Sequence, residues 1–159
     1  MSARREHKIP ESVLVVIHTA ALDVLLIERA DKPGYWQSVT GSKDRVDEPL
    51  VETCVREVAE ETGIDVGSAA VPIGALRDWG LANVYEIYPV WRHRYAPGVT
   101  HNTEHVFGFL VDSPTAATLD PEEHIAQLWL PWQQAMDKTF SPTNRAAIAL
   151  LPERFSKQR

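Results

Sequence analysis

The segment from Gly41 to Ile64 constrains the fold most, because it predicts one strong helix between runs of short strands. Asp47 or Glu48 stands near the helix N-cap, Pro49 falls in the first turn, and Gly63 comes just past the end. At about 100° per residue, one side of this helix is apolar and predicted to pack on a sheet. That side carries Val51, Cys54, Val55, Val58 and Thr62.

The remaining segments alternate between strand-like runs and turns. The predicted strands are Val13–Thr19 and Val24–Arg29 (a hairpin), Tyr35–Thr40, Val84–Tyr95, Glu104–Val111 and Leu128–Leu130, with a C-terminal helix over Asn144–Leu151. Pro89 confines the 84–95 run to a sheet edge or a bulge. Strands interrupted by one central helix indicate a mixed α/β or α+β sandwich.

Length and charge limit the number of domains and the kinds of partner that the chain can have. The 159 residues predict a single domain over 1–159, with frayed tails at 1–7 and 152–159. The net charge of −6 argues against a nucleic-acid partner, because such binding depends on Lys and Arg neutralising phosphates. The apolar run Val13–Ile17 is too short for an export signal or a membrane span, so we expect no membrane partner. The single cysteine, Cys54, fits a cytoplasmic protein and reads as a core residue.

The helix also carries an acidic face. Glu57, Glu60 and Glu61 fall within about 100° of one another, in the last turns, where the helix dipole disfavours negative charge. A bound hard cation such as Mg²⁺ would relieve the repulsion between Glu57 and Glu61. The alternative is an ordinary solvated face, in which Arg56 pairs with Glu52 and Glu60.

The order of residues in this segment favours the first interpretation. Glu48 is followed by seven residues and then by Arg56-Glu57-Val58-Ala59-Glu60-Glu61-Thr62-Gly63-Ile64. This pattern resembles the signature of the Nudix hydrolases. Six residues separate Gly41 from Glu48, one more than in that signature. Asp47 would keep the spacing from Gly41 but lose the spacing to Arg56. We therefore assign Glu48 to the first glutamate position of the signature.

The resemblance extends from about Lys8 to Arg145, and within the family it is closest to bacterial dihydroneopterin triphosphate pyrophosphohydrolases. It is carried by residues 14–17, 36–42, 92–100, 102–104, 123–124 and 144–145. It implies a Nudix α/β/α sandwich with a mixed β-sheet and a central catalytic helix. It also implies Mg²⁺-dependent release of pyrophosphate from dihydroneopterin triphosphate in folate biosynthesis. Mn²⁺ is a possible substitute, and dNTPs such as dATP are expected side substrates.

The same resemblance implies a set of site residues. The implied catalytic residues are Glu48, Arg56, Glu57 and Glu60, and the implied metal ligands are Glu57, Glu61 and Glu123. Substrate contacts are implied for Lys8, Arg29, Thr40, Tyr85, Glu86, Ile87, Tyr88 and Thr139. Which carboxylate is the general base stays open.

Several of these assignments have plain alternatives. The alternative for Glu123 is an ordinary solvated acid, and Tyr85 and Ile87 share a strand face that would also suit the core. Arg92 and Arg94 hint at phosphate binding, or they guard an edge strand against aggregation.

Two rival functions remain at the level of sequence. One is a nucleotide-pool sanitising dNTP pyrophosphohydrolase, and the other is a non-catalytic ligand-binding Nudix module. The three helix glutamates argue against the module, because a pure binder has no need for their repulsion. The expected partner is a small-molecule triphosphate, and we expect a monomer, although oligomeric state is not readable from the sequence.

Overall fold

The computed structural model describes residues 7–157, and side chains as far as residue 156. Seven strands and three helices follow one another as β1 Glu11–His18, β2 Asp23–Arg29, β3 Trp36–Gln37, β4 Val39–Ser42, α1 Leu50–Thr62, β5 Leu76–Glu86, β6 His101–Leu110, β7 His124–Pro131, α2 Trp132–Lys138 and α3 Pro142–Lys157. Short 3-10 helices span Ile73–Ala75 and Pro89–Arg94. No helix within residues 7–157 is long and apolar enough to cross a membrane.

Strand β1 organises a mixed seven-stranded sheet. It runs parallel to β6 along its whole length and antiparallel to β4 and to β2, its partner in the predicted hairpin. Strand β5 pairs with the far side of β6, whereas β3 and β7 both pair with β2. Because β1 has neighbours along both edges, it is the strand on which the other layers are built.

The side chains of β1 are buried on both faces of the sheet. Val13, Val15 and Ile17 belong to a core that includes Cys54 and Val58 of α1. Leu14 and Val16 belong to a second core that includes Ile148 and Leu151 of α3. Helices therefore cover the two faces, and the predicted α/β/α sandwich is confirmed. One detail of the predicted helix face is wrong, since Val51 is 44% exposed.

The predicted strand over 84–95 is confirmed only for residues 84–86 and is wrong from Ile87 onward. Strand β5 ends at Glu86, and Pro89 opens a 3-10 helix that runs to Arg94. Proline suits the first turn of a helix because it has no N–H to leave unpaired there. Arg92 and Arg94 therefore do not share a strand face. The first half of β5, Leu76–Asn83, was not predicted, because a bulge between Asp78 and Leu81 breaks its alternation.

The C-terminal helix is longer than predicted. It continues through Pro152 to Lys157, so the part of the expected frayed tail that is described is helical. Leu151 is fully buried, and Arg154 donates a 2.8 Å hydrogen bond to the carbonyl of Trp79. These tertiary contacts hold the last turns against fraying. At the other end, residues 1–6 of the predicted N-terminal tail lie outside the described residues.

Two further differences bear on the site. The predicted strand Tyr35–Thr40 is split at Ser38, whose backbone N–H and hydroxyl are both hydrogen-bonded by Asn144 of α3, at 2.8 and 2.9 Å. Helix α2, Trp132–Lys138, was not predicted. Both features place the start of α3 beside β4.

Candidate active site

Arg56 joins three parts of the chain at one point. Its Nη2 and Nε donate to the carboxylate of Glu48 at 2.8 and 3.2 Å, and its Nη1 donates to Glu57 at 2.7 Å. Nη2 also donates to the carbonyl of Ser42, at the end of β4, at 2.9 Å. The guanidinium therefore fixes the loop before α1, the helix itself and strand β4 relative to one another.

Glu48 is held as an ionised, buried carboxylate. It accepts hydrogen bonds from the Asp44 amide at 2.9 Å and the Thr53 hydroxyl at 2.8 Å in addition to Arg56. Burial alone would raise the pKa of Glu48, but the bonds from Arg56, Asp44 and Thr53 outweigh it and lower the pKa to about 2. Asp47 instead pairs with Arg45 at the surface. With the longer loop, Glu48 and not Asp47 forms the ion pair with Arg56.

Glu57 reaches the site by crossing directly over Gly41. A Cβ atom at Gly41 would lie 2.0–2.4 Å from the carboxyl atoms of Glu57, well inside van der Waals contact. Only glycine leaves room for this approach. The glycine of the sequence motif is therefore explained by the position of the Glu57 carboxylate.

The acidic face of α1 is electrostatically unfavourable as it stands. Burial raises the pKa of Glu57 to about 7, with the charge of Arg56 opposing the shift and that of Glu60 adding to it. Burial and the charge of Glu57 raise the pKa of Glu61 well above its usual range. Glu61 is 3% exposed, and neither of its carboxylate oxygens has a hydrogen-bond partner of good geometry among the described residues, although Glu57 and the Thr40 backbone lie close enough to act on its pKa. Buried carboxylate oxygens without hydrogen-bond partners are suitable ligands for a hard cation.

The neighbouring histidine does not supply the missing positive charge. His124 Nε2 lies 3.6 Å from Glu61 Oε1, beyond hydrogen-bonding distance. Burial and the charge of Arg29 lower the pKa of His124 to about 4, so its ring is neutral near pH 7. His124 therefore does not neutralise Glu61, and a cation whose charge does interact with that of Glu61 is partly buried Lys8, which faces the same cavity.

Glu123 faces the same acidic face from the loop before β7. Its backbone carbonyl accepts a 2.9 Å hydrogen bond from the Ala30 amide, and its side chain is exposed. Its charge is one of those that raise the pKa values of Glu60 and Glu61. Glu123 therefore lies close enough to act on the helix carboxylates.

These carboxylates border one cavity of about 630 Å³, called here the ionic cavity. Its acidic side is formed by Glu57, Glu60, Glu61 and Glu123, and its basic side by Lys8, Arg29 and Arg94. Within residues 7–157, no three acidic, histidine or cysteine side chains already converge as ligands of one ion. The metal-ligand roles of Glu57, Glu61 and Glu123 stay predictions, because an ion bound by all three requires these carboxylates to come closer together.

The basic side of the ionic cavity is held together by Asp31. Arg29 contacts Asp31 through two nitrogen atoms, at 2.7 and 2.8 Å, and Arg94 contacts it at 3.0 Å. Burial and the charge of Arg94 lower the pKa of Lys8. Three cations so close together disfavour one another, and a polyanion would relieve them. The sequence predicted Lys8 and Arg29 here, but it placed Arg94 on a strand.

A second cavity of about 260 Å³ adjoins the first, and we call it the apolar cavity. Seven of the predicted substrate residues border it: Lys8, Arg29, Thr40, Tyr85, Glu86, Ile87 and Tyr88. The eighth, Thr139, does not. It ends α2, and its hydroxyl turns back to the Met136 carbonyl at 3.0 Å, whereas the next residue, Phe140, borders the cavity.

Aromatic side chains line the mouth of the apolar cavity. The ring centroids of Tyr88 and Trp91 are 5.4 Å apart, and each lies about 6 Å from that of Phe140. The guanidinium of Arg29 lies 4.4 Å from the ring centroid of Trp91. Sequence analysis missed Trp91 and Phe140, because a 3-10 helix and the α2–α3 connection bring them together from distant parts of the chain.

Comparison with known proteins identifies the family. The model of the NUDIX domain family matches residues 8–151. The chain therefore belongs to the Nudix family. Nudix hydrolases act on phosphoanhydride bonds and use divalent metal ions.

Individual Nudix relatives are similar over most of their length. Dihydroneopterin triphosphate diphosphatase of Escherichia coli K12 is 41% identical over 143 residues, which cover 89% of this chain and 91% of that protein. The Haemophilus influenzae protein of the same name is 37% identical, covering 90% and 87% of the two chains. The solved structure of the E. coli dihydroneopterin triphosphate pyrophosphohydrolase superposes with a TM-score of 0.82, at 39% identity, covering 91% and 95%.

The contact between Gly41 and Glu57 yields a test of the Nudix site. Gly41→Ala should leave the fold intact, because the obstructing atoms are the end of a flexible side chain. It should lower kcat for triphosphate hydrolysis by about 100-fold, since small displacements are costly where catalysis depends on positioning. Steady-state kinetics and thermal unfolding measure the two effects.

The matched control for this test is Gly74→Ala. A Cβ atom at Gly74 meets no atom within 4 Å, so this variant should retain wild-type kinetics and melting temperature. Equal activity of the two alanine variants would contradict the assigned position of Glu57.

Proposed function

We propose that the chain is a metal-dependent pyrophosphohydrolase that converts dihydroneopterin triphosphate to dihydroneopterin monophosphate and pyrophosphate, with dNTPs such as dATP as side substrates. The observation that carries this proposal is the junction of the two cavities. Lys8, Arg29, Thr40 and Arg94 border both of them. A molecule with a flat ring at one end and a triphosphate at the other fits this pair of cavities.

The ring belongs in the apolar cavity. Leu14 and Ile87 supply apolar surface there, and Tyr85, Tyr88 and Trp91 supply aromatic surface. Flat heteroaromatic rings bind in clefts of this composition, where a few polar groups set their orientation. This side of the site supports a pterin, and its aromatic mouth would also accept a purine base.

The triphosphate belongs in the ionic cavity, against the basic side. Arg29 and Arg94 present guanidinium groups, which pair with phosphate oxygens, and Lys8 adds a point charge. Asp31 keeps both guanidinium groups in place while no anion is bound. The substrate anion would relieve the mutual repulsion of the three cations.

We assign the metal to the acidic side, with Glu57, Glu61 and Glu123 as ligands and Mg²⁺ as the expected ion, for which Mn²⁺ can substitute. When bound, such an ion neutralises phosphate charge and lowers the pKa of bound water. Arg56 keeps Glu57 in position, and Glu48 keeps Arg56 in position. Glu60 is exposed at the rim and is the candidate for orienting water.

The remaining parts of the proposal concern the context of the enzyme. We propose a single Nudix domain that acts as a monomer in the cytoplasm, in folate biosynthesis. The acidic composition and the single cysteine fit this context. The alternative of a dNTP-sanitising enzyme keeps its support from the aromatic mouth. A non-catalytic module is disfavoured by the buried, unpartnered carboxylate of Glu61.

A substrate panel tests the reaction and separates the two enzymatic candidates. The protein is incubated with Mg²⁺ and dihydroneopterin triphosphate, dATP or GTP, and phosphate is measured with and without added inorganic pyrophosphatase. We expect phosphate only after pyrophosphatase is added, and the highest kcat/KM with dihydroneopterin triphosphate. Direct release of phosphate would contradict the proposed bond, and a higher kcat/KM with dATP would favour the sanitising function.

Glu61→Gln tests the proposed metal site. The variant keeps the shape of the side chain but loses a charge whose raised pKa reports a cost in the folded state. We therefore expect metal-free protein to be at least as stable as wild type, while kcat falls about 100-fold. Thermal unfolding with EDTA and kinetics at saturating Mg²⁺ measure these effects.

Glu52→Gln is the control on the same helix, since Glu52 pairs with Arg45 at the surface. It should keep wild-type activity. If Glu61→Gln retained wild-type turnover, Glu61 would not be a metal ligand. A loss of stability without metal would contradict the cost assigned to the buried charge of Glu61.

Glu123→Gln tests the ligand proposed outside α1. Its side chain is exposed, so the melting temperature of metal-free protein should not change. Mg²⁺ keeps strict octahedral geometry, and the loss of one carboxylate should raise the Mg²⁺ concentration for half-maximal activity about tenfold or more. A metal titration of activity measures this shift.

Glu122→Gln is the comparison variant, because Glu122 also borders the ionic cavity but, of these two neighbours, Glu123 is the one whose charge raises the pKa values of Glu60 and Glu61. The shift for Glu122→Gln should be clearly smaller. Equal shifts for the two variants would make Glu123 an ordinary surface acid.

A further inference from the structure

Two polar residues of β6 form part of the wall of the apolar cavity. Asn102 and Glu104 are 2% and 4% exposed, and they lie on the same face of the strand, two residues apart. They stand apart from the carboxylates of the ionic cavity, and neither has a role in the metal site or the triphosphate site described above. A buried carboxylate beside apolar and aromatic walls requires an explanation, because burial of a charge whose hydrogen bonds are incomplete is unfavourable.

The hydrogen bonds of these two residues leave one kind of atom unmatched. The amide nitrogen of Asn102 donates to Ser12 Oγ at 2.7 Å and to the Tyr85 hydroxyl at 3.1 Å. Its Oδ1 is buried and has no hydrogen-bond partner among residues 7–157, and the same holds for Glu104 Oε1. Both unmatched atoms are acceptors, so the ligand that completes this wall must present N–H or O–H donors.

The electrostatic state of Glu104 agrees with this requirement. Burial raises the pKa of Glu104, and hydrogen bonds with Thr143 and Asn83 only partly oppose the shift. A ligand that donates two hydrogen bonds to the carboxylate would stabilise its ionised form. The site is therefore incomplete until donors arrive.

A pterin ring has such donors at the end remote from its side chain. Its 2-amino group and the adjacent ring N3–H point in nearly the same direction, and together they match an ionised carboxylate. The corresponding edge of adenine carries one amino donor next to the lone pair of N1, which a carboxylate repels. Glu104 therefore distinguishes these two kinds of ring by charge and by the direction of hydrogen bonding.

We propose that Glu104, assisted by Asn102, is the specificity-determining residue of the apolar cavity and accepts hydrogen bonds from the 2-amino and N3–H groups of a 2-amino-4-oxopyrimidine ring. The inference rests on the proposed pterin triphosphate substrate and adds the group that selects it. Glu104 acts on binding and orientation of the ring and takes no part in cleavage of the phosphoanhydride.

Binding of the ring alone tests this assignment without the metal or the phosphates. The full chain is titrated by calorimetry with pterin and with lumazine, which carries oxygen in place of the 2-amino group. Wild-type protein should bind pterin at least about tenfold more tightly than lumazine, since a site built to accept a donor discriminates against a ligand that lacks it. Equal affinity of wild-type protein for the two rings would overturn the proposal.

The variant Glu104→Gln keeps the size of the side chain and replaces one acceptor oxygen by a donor. It should weaken pterin binding about 10- to 100-fold and bring it close to lumazine binding. Glu52→Gln, which changes the net charge equally from outside both cavities, should bind like wild type. If Glu104→Gln weakened pterin and lumazine binding by the same factor, Glu104 would be structural and the proposal would fail.

Hydrolysis separates failure of this inference from failure of the proposed function. In Glu104→Gln, kcat/KM should fall about 10- to 100-fold for dihydroneopterin triphosphate and stay within about threefold of wild type for dATP. An unchanged ratio of the two values would overturn the role of Glu104 while pyrophosphohydrolase activity stood. If wild-type protein neither cleaved dihydroneopterin triphosphate nor bound pterin, the proposed function and this inference would both be wrong.

Discussion

The ion pair between Arg56 and Glu48 is the interaction on which the rest of the site depends. Glu48 is almost fully buried and holds its charge because Arg56, Thr53 and the Asp44 amide all donate to it. Removing one member of a buried pair strands the other, at a cost of about 3–5 kcal/mol. With Glu48 fixed, Arg56 has its remaining nitrogen free to hold Glu57 across Gly41. The carboxylate of Glu57 is thus positioned by a chain of contacts that begins in the loop before α1.

The site combines two clusters of like charge, each unfavourable on its own. Glu57 and Glu61 disfavour each other on the acidic side, and Lys8, Arg29 and Arg94 do so on the basic side. Arg56 and Asp31 offset only part of this repulsion. A cation and a polyphosphate arriving together would neutralise both sides. The two clusters therefore lower the free energy of unfolding of the ligand-free protein, and ligand binding would offset this loss. Such a pattern is common at functional sites.

The parts of this architecture that are local in sequence were predictable, and those that depend on tertiary contact were not. Helix α1 follows from Pro49, Gly63 and the apolar period, and the motif around Arg56 identifies the acidic face. By contrast, the 3-10 helix at Pro89–Arg94 and the last turns of α3 are fixed by packing, which no local pattern reports. Trp91 and Phe140 meet only because the 3-10 helix and the α2–α3 connection bring them together. Thr139, predicted to contact substrate, does not border the apolar cavity whereas Phe140 does, because the end of α2 decides which side chain faces the cavity.

Hydrogen-bond donors and acceptors discriminate between candidate ring substrates more strongly than apolar surface does. The aromatic mouth at Tyr88 and Trp91 gives any flat ring a surface to stack on, and so discriminates poorly between a pterin and a purine. The buried oxygens of Asn102 and Glu104 do discriminate, because an unmatched acceptor in a dry cavity disfavours every ligand that lacks a donor in the right place. A mutation at the mouth should therefore change affinity for all substrates together, whereas a change on β6 should alter which substrate is preferred. In the proposed complex the two cavities have separate roles, because charge in one would select the triphosphate and hydrogen-bond direction in the other would select the ring.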